Sequence, residues 1–163
     1  MPEMYETIID SMHILVAYMD ARFNFIRVNK AYAQANEKEQ SFFPGKNHFD
    51  LYPDEENRKI FQKAVNTGVP SHYEAKQFKF AESSERSVSY WDWSLIPQKD
   101  GEGRVISLVL TLQNATDRVN AEEALRVSEE SFRKIFEEAH LGIVITSPSF
   151  VFEKANPAFC RMM

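Results

Sequence analysis

The sequence lacks the residues that several protein classes require. It holds one cysteine, Cys160, so no internal disulfide can form and no cysteine-based zinc cluster can assemble. It has no excess of basic charge: 19 Lys and Arg stand against 24 Asp and Glu, a net charge of −5. A nucleic-acid binder carries a basic footprint, so no nucleic-acid partner is expected. Long apolar runs are missing as well. The run nearest the N-terminus, Ile14 to Met19, is far too short to span a bilayer. No basic segment precedes it, so a signal peptide is not expected either. These absences favour a soluble, cytoplasmic module with no direct membrane contact. Enzyme motifs are also missing. No Gly-x-Ser-x-Gly elbow and no His-Glu-x-x-His helix occurs, and the lone Gly-x-Gly at Gly101 and Gly103 sits in a turn. No catalytic residue and no metal ligand is expected.

What is present is ordinary globular material. Hydrophobic residues make up 44% of the 163 and aromatics 13%, including 13 Phe. A chain of this length buries roughly 70% of its unfolded surface, enough for one core and hardly for two.

The sequence also repeats. Set Tyr5 opposite Phe132, an offset of 127, and no gap is needed to Asn36 and Met163. His13 then meets His140, Phe23 and Phe25 meet Phe150 and Phe152, and Asn29-Lys-Ala-Tyr32 meets Asn156-Pro-Ala-Phe159. The order of elements repeats too, which points to one complete domain followed by the opening of a second copy.

Periodicity locates the elements. An amphipathic helix over 3–12 places Met4, Ile8, Ile9 and Met12 on one stripe. Strands over 14–19 and 23–28 form a hairpin around Asp20-Ala-Arg22. Asn29 caps a helix to about Asn36, and Asp54 caps a longer one through Val65 that Gly68 and Pro70 end. Three strands follow, over 71–80, 87–96 and 104–113, the last with Ile106, Leu108, Leu110 and Leu112 on one face. The expected fold is α+β: a five-stranded antiparallel sheet with helices on one face, an N-terminal amphipathic helix and a C-terminal linker helix. Several strands are apolar on both sides, so the N-terminal helix or a partner chain should cover the far face. The expected division is 1–117 as the complete domain, 118–139 as a linker helix, and 140–163 as the truncated second copy.

From Asp117 onward Ala121, Leu125, Ser128, Phe132 and Ile135 are spaced 4, 3, 4 and 3, a heptad seam. Roughly 20 helical residues would reach about 30 Å. Two readings stay open: a helix packed on its own domain, or one paired with its twin in a homodimer.

Together these segments resemble the PAS family of sensory domains. The matching residues are Asp20 and Arg22, Asn29-Lys-Ala-Tyr32, Pro44-Gly-Lys-Asn-His-Phe-Asp-Leu-Tyr-Pro53, Asn66-Thr-Gly-Val-Pro70, Tyr90-Trp-Asp-Trp-Ser-Leu-Ile-Pro97, Asp100-Gly-Glu-Gly-Arg104 and Asn114-Ala-Thr-Asp-Arg118. The resemblance covers residues 3–118, and about 130–163 as a second start. Asn114 departs from the family's usual Asp, which puts the anchoring of the outgoing helix in question.

The resemblance implies a sensory input module that binds a small ligand or dimerises, and passes the change to an output domain in the same polypeptide. The Tyr-Trp-Asp-Trp strand is most similar to copies in sensor histidine kinases. Diguanylate cyclases, chemoreceptors and a ligand-free dimerisation module are the alternatives. No phosphoacceptor His box of the kinase type occurs at His13, His48, His72 or His140. His48 stands where flavin photoreceptors of the family carry their reactive Cys, so cysteinyl-adduct chemistry is not expected. The helix over 54–65 carries no His, which argues against haem. No cofactor is expected, beyond a small organic ligand.

That ligand's pocket should lie between sheet and helices. Tyr32, Phe49, Ile60, Tyr73, Tyr90, Asp92, Leu108 and Leu110 are the expected lining. If Tyr90 and Asp92 face inward, Trp91 and Trp93 face the other side; a buried Asp92 would need a partner. Asn114, Thr116 and Asp117 are the expected relay into the linker helix.

Overall fold

A computed structural model describes residues 2–79 and 88–163. The expected strand ends at Phe80 and Ser87 lie outside these residues. The elements are α1 (Pro2–Ser11), β1 (Leu15–Asp20), β2 (Phe25–Val28), α2 (Lys30–Ala35), a 3-10 turn (Gln40–Phe42), α3 (His48–Leu51), α4 (Glu55–Thr67), β3 (Ser71–Lys79), β4 (Val88–Lys99), β5 (Val105–Asn114), α5 (Thr116–Glu138), β6 (Val144–Thr146), β7 (Phe152–Ala155) and α6 (Pro157–Met162). They group into two compact units, Met1–Thr116 and Asp117–Met163.

In the first unit one antiparallel sheet runs β2-β1-β5-β4-β3. The short helices follow from local chemistry. Asn29 Oδ1 accepts the Tyr32 N–H at 3.0 Å and starts α2. Asp54 Oδ1 accepts the Asn57 N–H at 2.8 Å and starts α4, with Glu55 and Glu56 in its first turn where the dipole favours acid. Gly68, at φ 62°, ends α4 in the left-handed conformation that glycine adopts without a Cβ clash.

The core lies between the sheet and α2, α3 and α4. Ala17, Met19, Phe25, Leu95 and Leu108 from the strands meet Phe43, Phe49 and Phe61 from the opposite layer, all nearly sealed from water. Phe25 touches Phe43 at 5.4 Å, edge to face, an arrangement aromatic quadrupoles favour.

Two expectations about the sheet need correction. Ile106 does not share a face with Leu108, Leu110 and Leu112. A bulge between Gln98 and Lys99 pairs Lys99 with Val105, so Val105 packs on the core and Ile106 is 53% exposed. Nor is the N-terminal apolar stripe buried: Met4, Ile8 and Ile9 of α1, and Met12 just after it, are all exposed. Polar ties hold α1 instead. Arg27 pairs with Glu6 and Asp10, and Asn29 Nδ2 donates to Ile9 O at 3.1 Å. On the far face of the sheet Tyr18 and Ile96 stay partly open.

The second unit comprises α5, a β6–β7 hairpin and α6. Asn156 caps α6 and clasps the hairpin, accepting from Ile143 N and Phe159 N and donating to Leu141 O. On α5 the seam residues Ala121, Leu125, Ser128, Phe132 and Ile135 are all exposed.

Candidate ligand cavity

A cavity of about 500 Å3 opens between the sheet and the helices of the first unit. Its floor comes from Leu15, Trp91, Trp93, Leu110 and Leu112; its walls from Tyr32, Ala35, Asn36, His48, Tyr52, Pro53, Asp54, Asn57 and Phe61. Strand parity builds the floor. Trp93 pairs with Leu112 and Leu95 with Leu110, so odd residues of β4 and even residues of β5 share the inner face.

The polar groups of this wall are few. Tyr52 donates its hydroxyl to Asn36 Oδ1 at 2.7 Å, and Asn36 Nδ2 donates to Tyr32 O at 2.8 Å. Burial, then the neighbouring Tyr52, pushes the Tyr32 hydroxyl well above the ordinary phenol range, so it stays neutral. His48 stacks on Phe61, centroids 5.1 Å apart. Burial lowers its pKa to about 4, against a weaker opposing pull from Asp54. The ring is therefore uncharged at neutral pH.

Two nitrogens on these lining residues are incomplete. His48 Nδ1 and Trp93 Nε1 are buried and have no hydrogen-bond partner among the described residues. A buried polar atom left unmet costs about 1–3 kcal/mol, so each asks for an explanation. Trp91 differs, since its Nε1 donates to Ser89 Oγ at 3.0 Å. At the rim Lys76 joins β3 to α4, its Nζ donating to Asn57 Oδ1 at 2.9 Å and lying 3.3 Å from Glu56 Oε1.

Of the residues expected in the lining, Tyr32 and Leu110 are there. Phe49, Ile60 and Leu108 belong to the surrounding core, and Tyr73 stacks against Trp93 at 4.6 Å without lining the space. Tyr90 and Asp92 are corrections. They have the opposite parity from Trp91 and Trp93, which face the cavity instead. Asp92 does find a partner: its Oδ1 accepts the N–H of Ala75 at 2.7 Å, where β3 bulges and Ala75 takes φ 48°. The signal for the true parity was the run Trp91, Trp93, Leu95, Pro97, apolar at every second position. His48, Tyr52 and Asn36 were missed because short helices and the residues that end them bring them in, and such segments carry little periodicity; Asn57 comes from the first turns of α4, on a polar position that the apolar stripe of that helix does not mark.

The relay residues gather at one junction. The Tyr90 N–H donates to Thr116 Oγ1 at 3.0 Å, and Ala115 N donates to Tyr90 O at 2.8 Å. Asn114 Oδ1 accepts the Thr116 N–H at 2.9 Å, so this Asn still supplies a bond at the start of α5. Asp117 lies exposed in the first turn of α5.

The comparisons agree with this architecture. The PAS fold family matches residues 9–120, and a PAS domain family matches residues 130–163. The chain belongs to the PAS family, with the start of a second PAS domain after the first. A sensor histidine kinase structure from Vibrio cholerae is similar at 15% identity and TM-score 0.55, over 71% of this chain and 91% of that one. The PAS domain of BvgS from Bordetella pertussis is similar at 16% identity and TM-score 0.58, over 80% and 97%. VqmA of Vibrio cholerae, described in connection with DNA binding by LuxR-type receptors, is similar at 15% identity and TM-score 0.55, over 72% of this chain and 52% of that one. Comparison with curated proteins by sequence returns no significant match. Among the described residues no helix is long and apolar enough to cross a membrane.

Proposed function

We propose that this chain is the sensory input module of a signal-transduction protein, by preference a histidine kinase, and that it binds a small organic ligand between its sheet and helices. The observation that carries this is the cavity itself: about 500 Å3, walled by Tyr32, Tyr52, Phe61, Trp91 and Trp93. Trp91 of the cavity floor adjoins Tyr90, whose backbone is bonded to Thr116 at the start of α5. A ligand that moves β4 would therefore act on the outgoing helix, biasing two packings of similar energy. The module itself is proposed to be non-catalytic and cytoplasmic. Its acidic charge supports no nucleic-acid contact of its own.

A thermal-shift screen of metabolites tests the ligand, with Leu110→Trp as the filled-cavity control. Compounds should raise the melting temperature of the parent chain and leave the variant unmoved. Equal shifts in both would place binding elsewhere. For the relay, a Gly pair at Thr116-Asp117 in the full-length protein should uncouple output; unchanged regulation would refute the route.

A ligand-free dimerisation module is the second reading. The exposed seam favours it, with Leu125 61%, Phe132 52% and Ile135 68% open. Sedimentation should give a dimer for the parent and a monomer for Leu125→Glu. A monomer in both would remove this reading.

A further inference from the structure

Granting that the cavity is a ligand site, its ligand must pass the mouth. We propose that Trp91 is the gate there: its indole, latched to Ser89, stands at the mouth, and release of the latch sets how fast a ligand enters and leaves.

The burial of the floor locates the mouth. On the inner face of the sheet Ala17, Leu110 and Leu95 form one cross-strand row, 0%, 3% and 0% exposed. The next row is Leu15, Leu112 and Trp93, of which Leu15 and Leu112 are only half-buried. The last lining position on β4 is Trp91, half-buried and paired with the exposed Asn114. Burial therefore falls from row to row. The cavity opens at the end of the sheet where β5 gives way to α5, and Trp91 is the outermost large side chain of the floor. The wall is open to water too, since Ala35, Pro53 and Asp54 are exposed.

The two tryptophans of the floor are held in different ways. Trp93 is pinned: it is 3% exposed, stacks on Tyr73 at 4.6 Å and lies 6.3 Å from Phe61. Trp91 meets no other ring among the described residues. Its indole is held by one hydrogen bond, Nε1 donating to Ser89 Oγ at 3.0 Å. Ser89 belongs to the same strand, so this latch opens by side-chain rotation alone, without moving an element. One such bond biases an equilibrium about fivefold, which keeps the indole in place without locking it.

A gate and a wall differ in kinetics. Loss of a wall contact acts on departure, because contacts made in the complex govern the off-rate. Loss of a gate speeds entry and departure alike, since the same barrier is crossed in both directions, and leaves affinity unchanged.

The probe is N-phenyl-1-naphthylamine, an apolar molecule of three rings whose emission rises out of water. A cavity of roughly 150 Å3 holds one benzene ring, so about 500 Å3 accommodates it. Stopped-flow mixing with the whole chain gives both rates, and Leu110→Trp serves as the filled-cavity control. Ser89→Ala breaks the latch and keeps the indole. Entry and departure should each quicken about fivefold, with Kd unchanged. The unchanged Kd also shows that the variant folds. Trp91→Leu keeps an apolar floor and removes the gate, so entry should quicken by at least about fivefold. Faster departure with unaltered entry in both variants makes Trp91 a wall residue and overturns the gate, as do unaltered rates in both. Faster entry in Trp91→Leu alone overturns the Ser89 latch, and faster entry in Ser89→Ala alone overturns Trp91 as the gate. A parent chain that does not bind the probe, or a Leu110→Trp chain that binds it equally, sinks the ligand site and the gate with it; binding by the parent alone leaves the site standing whatever the rates show.

Discussion

Two hairpins in this chain share one local structure and have opposite surroundings. In the first unit Ala17 pairs with Val28 and Met19 with Phe25; in the second Val144 pairs with Ala155 and Thr146 with Phe152, and each carries a bulge at the same place. The turns agree as well. Phe23 and Phe150 both take positive φ, 72° and 60°, and Asn29 and Asn156 each clasp their own hairpin from a nearly sealed position. Burial separates them. Phe25 is 2% exposed and Phe152 is 70% exposed; Phe23 is 7% exposed and Phe150 89%. The contrast teaches that about 30 residues suffice to encode the bulged hairpin and its Asn clasp. In the first unit β3, β4, β5 and the intervening helices cover the aromatic face, and the cavity of that unit is lined largely by these elements.

The comparison breaks most sharply at the paired phenylalanines. Phe25→Ala should cost about 4 kcal/mol of unfolding free energy, because it removes a ring packed against Tyr32, Phe43 and His48. Phe152→Ala should stay within about 0.5 kcal/mol, being an exposed substitution. Urea denaturation of both variants checks this, and similar losses would mean the second hairpin is buried in solution.

Next are the clasps. Asn29 bonds Val16 N, Ile9 O, Ile14 O and Tyr32 N, so Asn29→Ala should cost the first unit about 3 kcal/mol. Asn156→Ala should leave the main unfolding transition in place while loosening β6 and β7. A calorimetric scan separates these outcomes.

A smaller effect depends on pH and belongs to one unit. His48 is buried, whereas His140 is exposed. Its folded pKa of about 4 lies below the unfolded value near 6.5, so between these values the unfolded chain binds more protons. This contribution is therefore intact above about pH 6.5 and lost as pH falls toward 4. At pH 5 the loss is about 2 kcal/mol. Denaturation at pH 7.5 and pH 5 should show a difference that shrinks by about that amount in His48→Phe; an unaltered difference would mean the ring is not held neutral.

Hydrogen exchange sharpens the contrast without a mutation. Amides of β1, paired on both sides by β2 and β5, should be far better protected than those of β6, which has one partner strand. An isolated two-stranded hairpin is marginal in water. Equal protection would contradict the account.

What the sequence disclosed follows the range of the forces involved. Asn29, Asp54, Gly68 and Asn156 announced their caps because each acts on backbone groups within a few residues. The sheet and its helices were legible from periodicity, and the repeat from the matched spacing of Phe23, Phe25 and Asn29 with their later counterparts. The face of Ile106 was not legible, because a one-residue bulge inverts parity and leaves no mark in the hydrophobic pattern. The cavity was half legible. Tyr32 and Leu110 sit on regular elements, whereas His48, Tyr52 and Asn57 reach it from α3, its following loop and the first turns of α4, through long-range packing that no local pattern encodes.

Native mass spectrometry tests the sensory reading most directly. The whole chain is incubated with the small-molecule fraction of a cell extract, desalted, and weighed intact beside Leu110→Trp. The parent chain should carry one additional organic molecule per polypeptide, and the filled-cavity variant none. A parent chain that emerges bare across extracts, or a variant that carries the same added mass, would contradict the claim that this cavity is the sensor.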